Sequence, residues 1–154
     1  MKHYEHTQPG TVMRVSMGIA TVAFGTIGLV ILLKGRNPEV AIGPLAVPLI
    51  TMVCLALFHS LTVRVNAEAV SFAFGVGLIR KTIPFSDIES AATVRNHWYN
   101  GWGIKLIRGG WLYNVAGLDA VELTHKNGKK TRIGTDEPKK LLAAIEAGLE
   151  RSAG

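Results

Sequence analysis

Cysteine is nearly missing from this chain, with Cys54 as its single representative. No intramolecular disulfide can form, no thiolate metal site exists, and Cys54, set inside an apolar run, reads as an inert small hydrophobe. Such usage agrees with a reducing compartment. Metal-ligand spacing is missing too. His3, His6, His59, His97 and His125 are scattered, and no two of them have the spacing of a helical or hairpin metal site. The chain also has no nucleophile elbow and no Walker loop, and Gly75-Val76-Gly77-Leu78-Ile79-Arg80 breaks the dinucleotide fingerprint at its third glycine. Asp87, Glu89, Asp119 and Glu122 are dispersed and read as a solvated face. An enzyme needs a convergent set of such groups, so the expectation is a non-catalytic protein without cofactor or metal. Net charge is +6, yet there is no helix-turn-helix, zinc-finger or RNP-like pattern, and nucleic acid is not an expected partner.

Charge is absent where the chain is most apolar. Val15 to Leu33 carries no charged side chain, and Val40 to Val63 has His59 as its only titratable group besides the cysteine. Each run is long enough to cross a hydrocarbon core roughly 30 Å thick as a helix. The first run exceeds the roughly 7–15 residues of a signal-peptide core and is followed at once by a second, so it reads as retained. The expected organisation is an N-terminal tail over residues 1–14, a transmembrane hairpin over 15–63 with helices near 12–33 and 41–61, and a domain over 64–154. Lys2, Arg14, Arg64, Arg80 and Lys81 flank the spans, against Lys34 and Arg36 in the loop between them. That bias places both termini on the cytoplasmic side of the membrane.

Gly18, Thr21, Gly25 and Gly28 fall in one stripe of the first span, where small residues let another helix approach closely. The second span is the nearest candidate, and a homo-oligomer contact is the competing use. Pro44 is expected to start the second helix and Pro48 to bend it, and His59 to lie at the interface.

Beyond Leu61 the apolar period changes from helical to two. Val63, Val65, Val70, Phe72, Phe74, Val76, Ile79, Ile83 and Phe85 alternate with polar or small residues, and Asn66 to Ala69 make a turn. Further short strands follow over 90–95, 104–107, 111–115, 120–124 and 130–133, with Asn127-Gly128 as a type I′ turn signal. Lys126, Lys129, Lys130 and Arg132 cluster around that turn and read as solvated. The chain closes on an amphipathic helix capped by Thr135 or Asp136, with Leu141, Leu142, Ile145 and Leu149 on one face. Asp136 at that position argues against an anion site there. The fold class expected is α+β: a two-helix transmembrane hairpin, then an antiparallel β-barrel of about seven strands plugged by a C-terminal helix.

The chain resembles the bacterial membrane-anchored PH-like (pleckstrin-homology-like) proteins. The likeness lies in Leu61-Thr62-Val63-Arg64-Val65, Ile83-Pro84-Phe85-Ser86-Asp87-Ile88, Tyr99-Asn100-Gly101-Trp102-Gly103-Ile104, Gly110-Trp111-Leu112-Tyr113-Asn114-Val115-Ala116-Gly117 and Arg132-Ile133-Gly134-Thr135-Asp136-Glu137-Pro138. It implies that fold and an address in the bacterial plasma membrane, and brings no catalytic residue with it.

All three tryptophans, Trp98, Trp102 and Trp111, lie in one glycine-rich stretch with Lys105 and Arg108. One reading sets these rings at the headgroup level of a membrane. The preferred reading makes them a cap over the open end of the barrel. The function expected is presentation of a PH-like domain at the cytoplasmic membrane face for interaction with a protein partner. The alternative is recognition of anionic lipid headgroups by Arg80, Lys81, Lys105 and Arg108, should these converge.

Overall fold

The computed structural model describes residues 4–35 and 38–153. Lys2, His3 and Arg36, which bear on the charge bias and the histidine spacing, lie outside the described residues. Strand β1 (Tyr4–Pro9) leads into helix α1 (Thr11–Leu33), the chain returns as α2 (Glu39–Phe58), and β2 (Ser60–Val65) follows. β1 and β2 are antiparallel partners, in register from Tyr4 opposite Val65 to Pro9 opposite Ser60. The helical hairpin is thus inserted between two neighbouring strands of one sheet. Gly10 closes the junction: its N–H donates to His59 O at 2.8 Å, and a Cβ there would lie 2.8 Å from Phe58 O. Arg14 Nε donates to the same His59 carbonyl at 3.1 Å.

By length and apolar composition α1 and α2 are candidate membrane-spanning helices. Ile19, Val22, Leu49 and Ile50 are exposed, and only Gly28, Ala41 and Thr51 are buried within the two helices. A helix apolar on all sides needs either a protein interior or lipid around it, and among the described residues these two are covered mainly by each other. The helices meet along small residues: a Cβ at Gly28 would press on Leu45, one at Gly25 would touch Pro48, and the Thr21 and Thr51 hydroxyls share a hydrogen bond at 2.6 Å. A Cβ at Gly18 would meet no neighbour. Pro44 does not start α2, as the sequence suggested, because the helix begins at Glu39 and contains both prolines. Its C-terminus comes earlier than expected, because Ser60 and Leu61 are drawn into the β1–β2–β3 ladder.

The remaining strands are β3 (Ala69–Phe74), β4 (Ile79–Pro84), β5 (Ile88–Arg95), β6 (Gly103–Ile107), β7 (Gly110–Asn114), β8 (Asp119–His125) and β9 (Lys130–Gly134), before helix α3 (Pro138–Ala153). Among the described residues they form two open sheets, ordered β1-β2-β3-β4 and β5-β8-β9-β7-β6, and not a closed barrel of seven strands. β7 and β9 are parallel, so the second sheet is mixed. β9 lies between β7 and β8, which run in opposite directions, so its antiparallel pairing with β8 makes it parallel to β7. Leu61, Val63, Phe72, Phe74, Ile83, Val121, Leu123 and Ile133 from the two sheets, with Leu141 and Ile145 of α3, make one core. Thr135 Oγ1 accepts the Glu137 N–H at 3.1 Å near the start of α3, whereas Asp136 turns away to His6 Nε2 at 2.6 Å. The β8–β9 turn is not type I′, since Gly128 alone there has a positive φ, of 77°.

Candidate functional site

Alternation along β4 turns Ile79, Lys81 and Ile83 toward the second sheet and leaves Arg80 and Thr82 exposed. β4 is an edge strand, and an inward lysine on such a strand also discourages pairing with another chain. The Lys81 ammonium is 5.7 Å from the centre of the Tyr113 ring, which in turn packs on Phe72 at 4.7 Å. Burial pushes the Tyr113 phenol above its ordinary pKa.

Lys81 marks one wall of a cleft of about 390 Å³ between β4 and the β6–β7 and β8–β9 turns. Leu106 and Trp111 supply its apolar surface, and His125, Lys129, Lys130 and Thr131 its polar one. A smaller cleft of about 270 Å³ adjoins it, lined by Arg80, Lys81, Ile104, Trp111 and Tyr113 among others. His125 Nε2 lies 2.8 Å from Thr131 Oγ1. Burial lowers the His125 pKa, the charges of Lys81 and Lys129 lower it further, and Asp87 opposes them. The imidazole is therefore held neutral beside two ammonium groups. Among the described residues neither Lys81 nor Lys129 has a carboxylate partner in an ion pair.

Lys130 and Arg132 are committed elsewhere. Glu122, only 8% exposed, takes Lys130 Nζ at 2.7 Å on one oxygen and Arg132 Nε at 2.5 Å on the other. Burial alone would raise the Glu122 pKa, but the hydrogen bonds and charges of the two cations outweigh it and hold the carboxyl below its ordinary range. The reading of Glu122, Lys130 and Arg132 as a solvated surface is therefore corrected: they are a compact ion cluster on β8 and β9. Arg132 Nη1 extends it to Asn96 Oδ1 at 3.3 Å.

Of the residues singled out from sequence, Arg80, Lys81 and Trp111 come together around these clefts. Lys105 and Arg108 are exposed and line neither. Because Ile104 and Leu106 face the clefts, the two-residue period of β6 turns Lys105 to the opposite face. Trp98 and Trp102 sit on the β5–β6 connection, where Trp98 is 80% exposed and Tyr99 stacks on His97 with ring centres 4.9 Å apart. Trp102 and Trp111 are 38% and 46% exposed, and none of the three tryptophans belongs to the core cluster or to the partly buried residues packed against it. His125 reads from sequence as one of five scattered histidines and Lys129 as part of a solvated basic turn, and only the sheet order brings them to Lys81.

Among the described residues no group of three or more His, Cys, Asp or Glu side chains is placed to hold a metal ion. What the larger cleft offers is two unpaired ammonium groups, a neutral imidazole and an indole wall. That set can receive an acidic segment carrying some apolar surface. Comparisons with protein-family models, curated proteins and solved structures give no match to this chain.

Proposed function

We propose that this chain is a membrane protein in which a helical hairpin holds a non-catalytic β-domain against the cytoplasmic face of a bacterial membrane, where the domain binds an acidic segment of a protein partner. The observation that carries the reading is the insertion of two exposed apolar helices between the paired strands β1 and β2. Both ends of the hairpin enter one sheet, so the segment before it and the domain after it lie on one side of the bilayer. The basic flanks Arg14, Arg64, Arg80 and Lys81, weighed against Lys34 and Arg36 in the intervening loop, support the cytoplasm as that side. PH-like kinship is part of the proposal, supported by largely antiparallel sheets followed by an amphipathic C-terminal helix.

The partner site is the cleft of Lys81, Trp111, His125 and Lys129, whose cations are free to meet carboxylates. Anionic headgroup recognition has less support, because it needs Lys105 at the same mouth as Lys81. The test is affinity recovery of the full-length protein in mild detergent, run beside Lys81→Glu and Lys129→Glu. A protein that is recovered with the native chain and lost with both charge reversals supports the reading. Recovery unchanged by either substitution, or recovery of anionic lipid alone, overturns it.

A further inference from the structure

Turns between strands are ordinarily polar, yet the β3–β4 turn reads Gly75-Val76-Gly77-Leu78 and exposes both of its apolar side chains, Val76 by 62% and Leu78 by 77%. Its position is set by the end of α2. The Val76 N–H donates to Ala56 O at 3.3 Å and the Gly75 N–H to Ser60 O at 2.9 Å. At Gly75, φ is 44° and a Cβ would stand 2.3 Å from Ala56 O, so the backbone approaches as closely as a residue without a side chain allows. Phe58 of α2 and Phe74 at the end of β3 close the same joint edge to face, with ring centres 5.4 Å apart.

Ala56 belongs to the last turn of a helix that is apolar through Phe58. At a rise of roughly 1.5 Å per residue, the turn tip lies within a few ångströms of the helix end along its axis. We infer that Val76 and Leu78 form a second membrane contact, a short apolar wedge that enters the acyl-chain boundary beside α2 and fixes how the β-domain sits on the bilayer. This rests on the reading of α1 and α2 as spans. Exposed to water, the two side chains would leave apolar area uncovered; beside the span they add to the apolar surface at the end of α2. Arg80, two residues beyond Leu78 on the exposed face of β4, then falls at headgroup depth.

The full-length chain carrying Cys54→Ala is labelled with an environment-sensitive fluorophore at Val76→Cys, Leu78→Cys, Ile19→Cys or Asn127→Cys. Each is reconstituted into phosphatidylcholine vesicles containing phosphatidylglycerol. Ile19 is exposed within α1, and Asn127 is exposed in the β8–β9 turn beside Asp87. The wedge requires blue-shifted emission at positions 76 and 78, loss of that emission to shallow doxyl-labelled lipid, and protection from aqueous iodide, with position 127 showing the reverse. If position 19 is quenched by doxyl lipid while 76 and 78 behave like 127, the wedge is refuted and the spans stand. If position 19 itself escapes doxyl quenching, the spans are refuted and the wedge with them.

Discussion

Pro9 and Ser60 face each other at the end of the β1–β2 ladder, the one the last strand residue before the first apolar helix and the other the first strand residue after the second. Their pairing ties the root of α1 to the root of α2, and the hydrogen bond from Gly10 to His59 locks the joint. A hairpin held in this way cannot place β1 and the domain on opposite sides of a membrane. In sealed inside-out vesicles, protease sites added before Tyr4 and after α3 are expected to be cut together. In right-side-out vesicles both are expected to be spared. Cleavage of one without the other would mean that β1 and β2 are not paired in the membrane.

Gly75 and Gly77 separate close approach from backbone conformation in one turn. Both have positive φ, of 44° and 84°, but a Cβ meets the Ala56 carbonyl at Gly75 and nothing within 4 Å at Gly77. Gly77→Ala should lower the unfolding free energy by about 1 kcal/mol, the low end for a side chain forced into left-handed backbone. Gly75→Ala must also push β3 away from α2, and about 3 kcal/mol is expected. Denaturant unfolding followed by tryptophan emission in detergent gives both values. Equal effects would show that α2 and the turn do not touch.

The strands from β2 to β4 were legible because one face of each is buried and the other is not, which writes period two into the sequence. β1 was not. Its residues Tyr4-Glu5-His6-Thr7-Gln8-Pro9 carry little apolar alternation, since the strand is held by its backbone ladder and by polar pairs such as Thr7 with Thr62 and Glu5 with Arg64, both at 2.8 Å. The parallel seat of β9 beside β7 was equally hidden, because pairing between strands distant in sequence leaves no local pattern. Lys81 and Trp111 were visible as residue types. Their meeting with His125 and Lys129 depends on the sheet order. Glu122 misled for a related reason: its face of β8 is covered by Lys130 and Arg132 from β9 and not by apolar groups.

That coverage makes Glu122 a sensitive position. Glu122→Ala leaves Lys130 and Arg132 facing each other across a partly buried gap, and a loss of about 2 kcal/mol is expected, between the values for exposed and fully buried ion pairs because both cations keep some access to water. Removing Arg132, the more buried of the two cations, together with the carboxylate should do less harm, since Lys130 is the more exposed and can turn to water. Glu122→Leu combined with Arg132→Leu is expected to recover more than half of the loss, because the desolvation of both partners disappears with their attraction. A double variant no more stable than Glu122→Ala would mean that the cluster does not act as a pair. Denaturant midpoints of the three proteins decide it.

Stability should also fall in acid in two separate steps. The His125 pKa is lowered in the folded protein, so below about 6.5 the unfolded chain takes up a proton that the folded one refuses. Stability is therefore full above that value and declines until the folded imidazole is itself protonated. The Glu122 pKa is lowered as well, and the stabilisation from its ionised form is full above the ordinary glutamate value of about 4.3 and lost as pH falls through the folded value. Both steps have the same sign, because in each window the unfolded state binds more protons. His125→Gln keeps a polar side chain near Thr131 and should flatten the first step while leaving the second. Unfolding free energy measured at intervals from neutral pH into acid tests this, and a first step of unchanged slope in His125→Gln would assign that proton to another group.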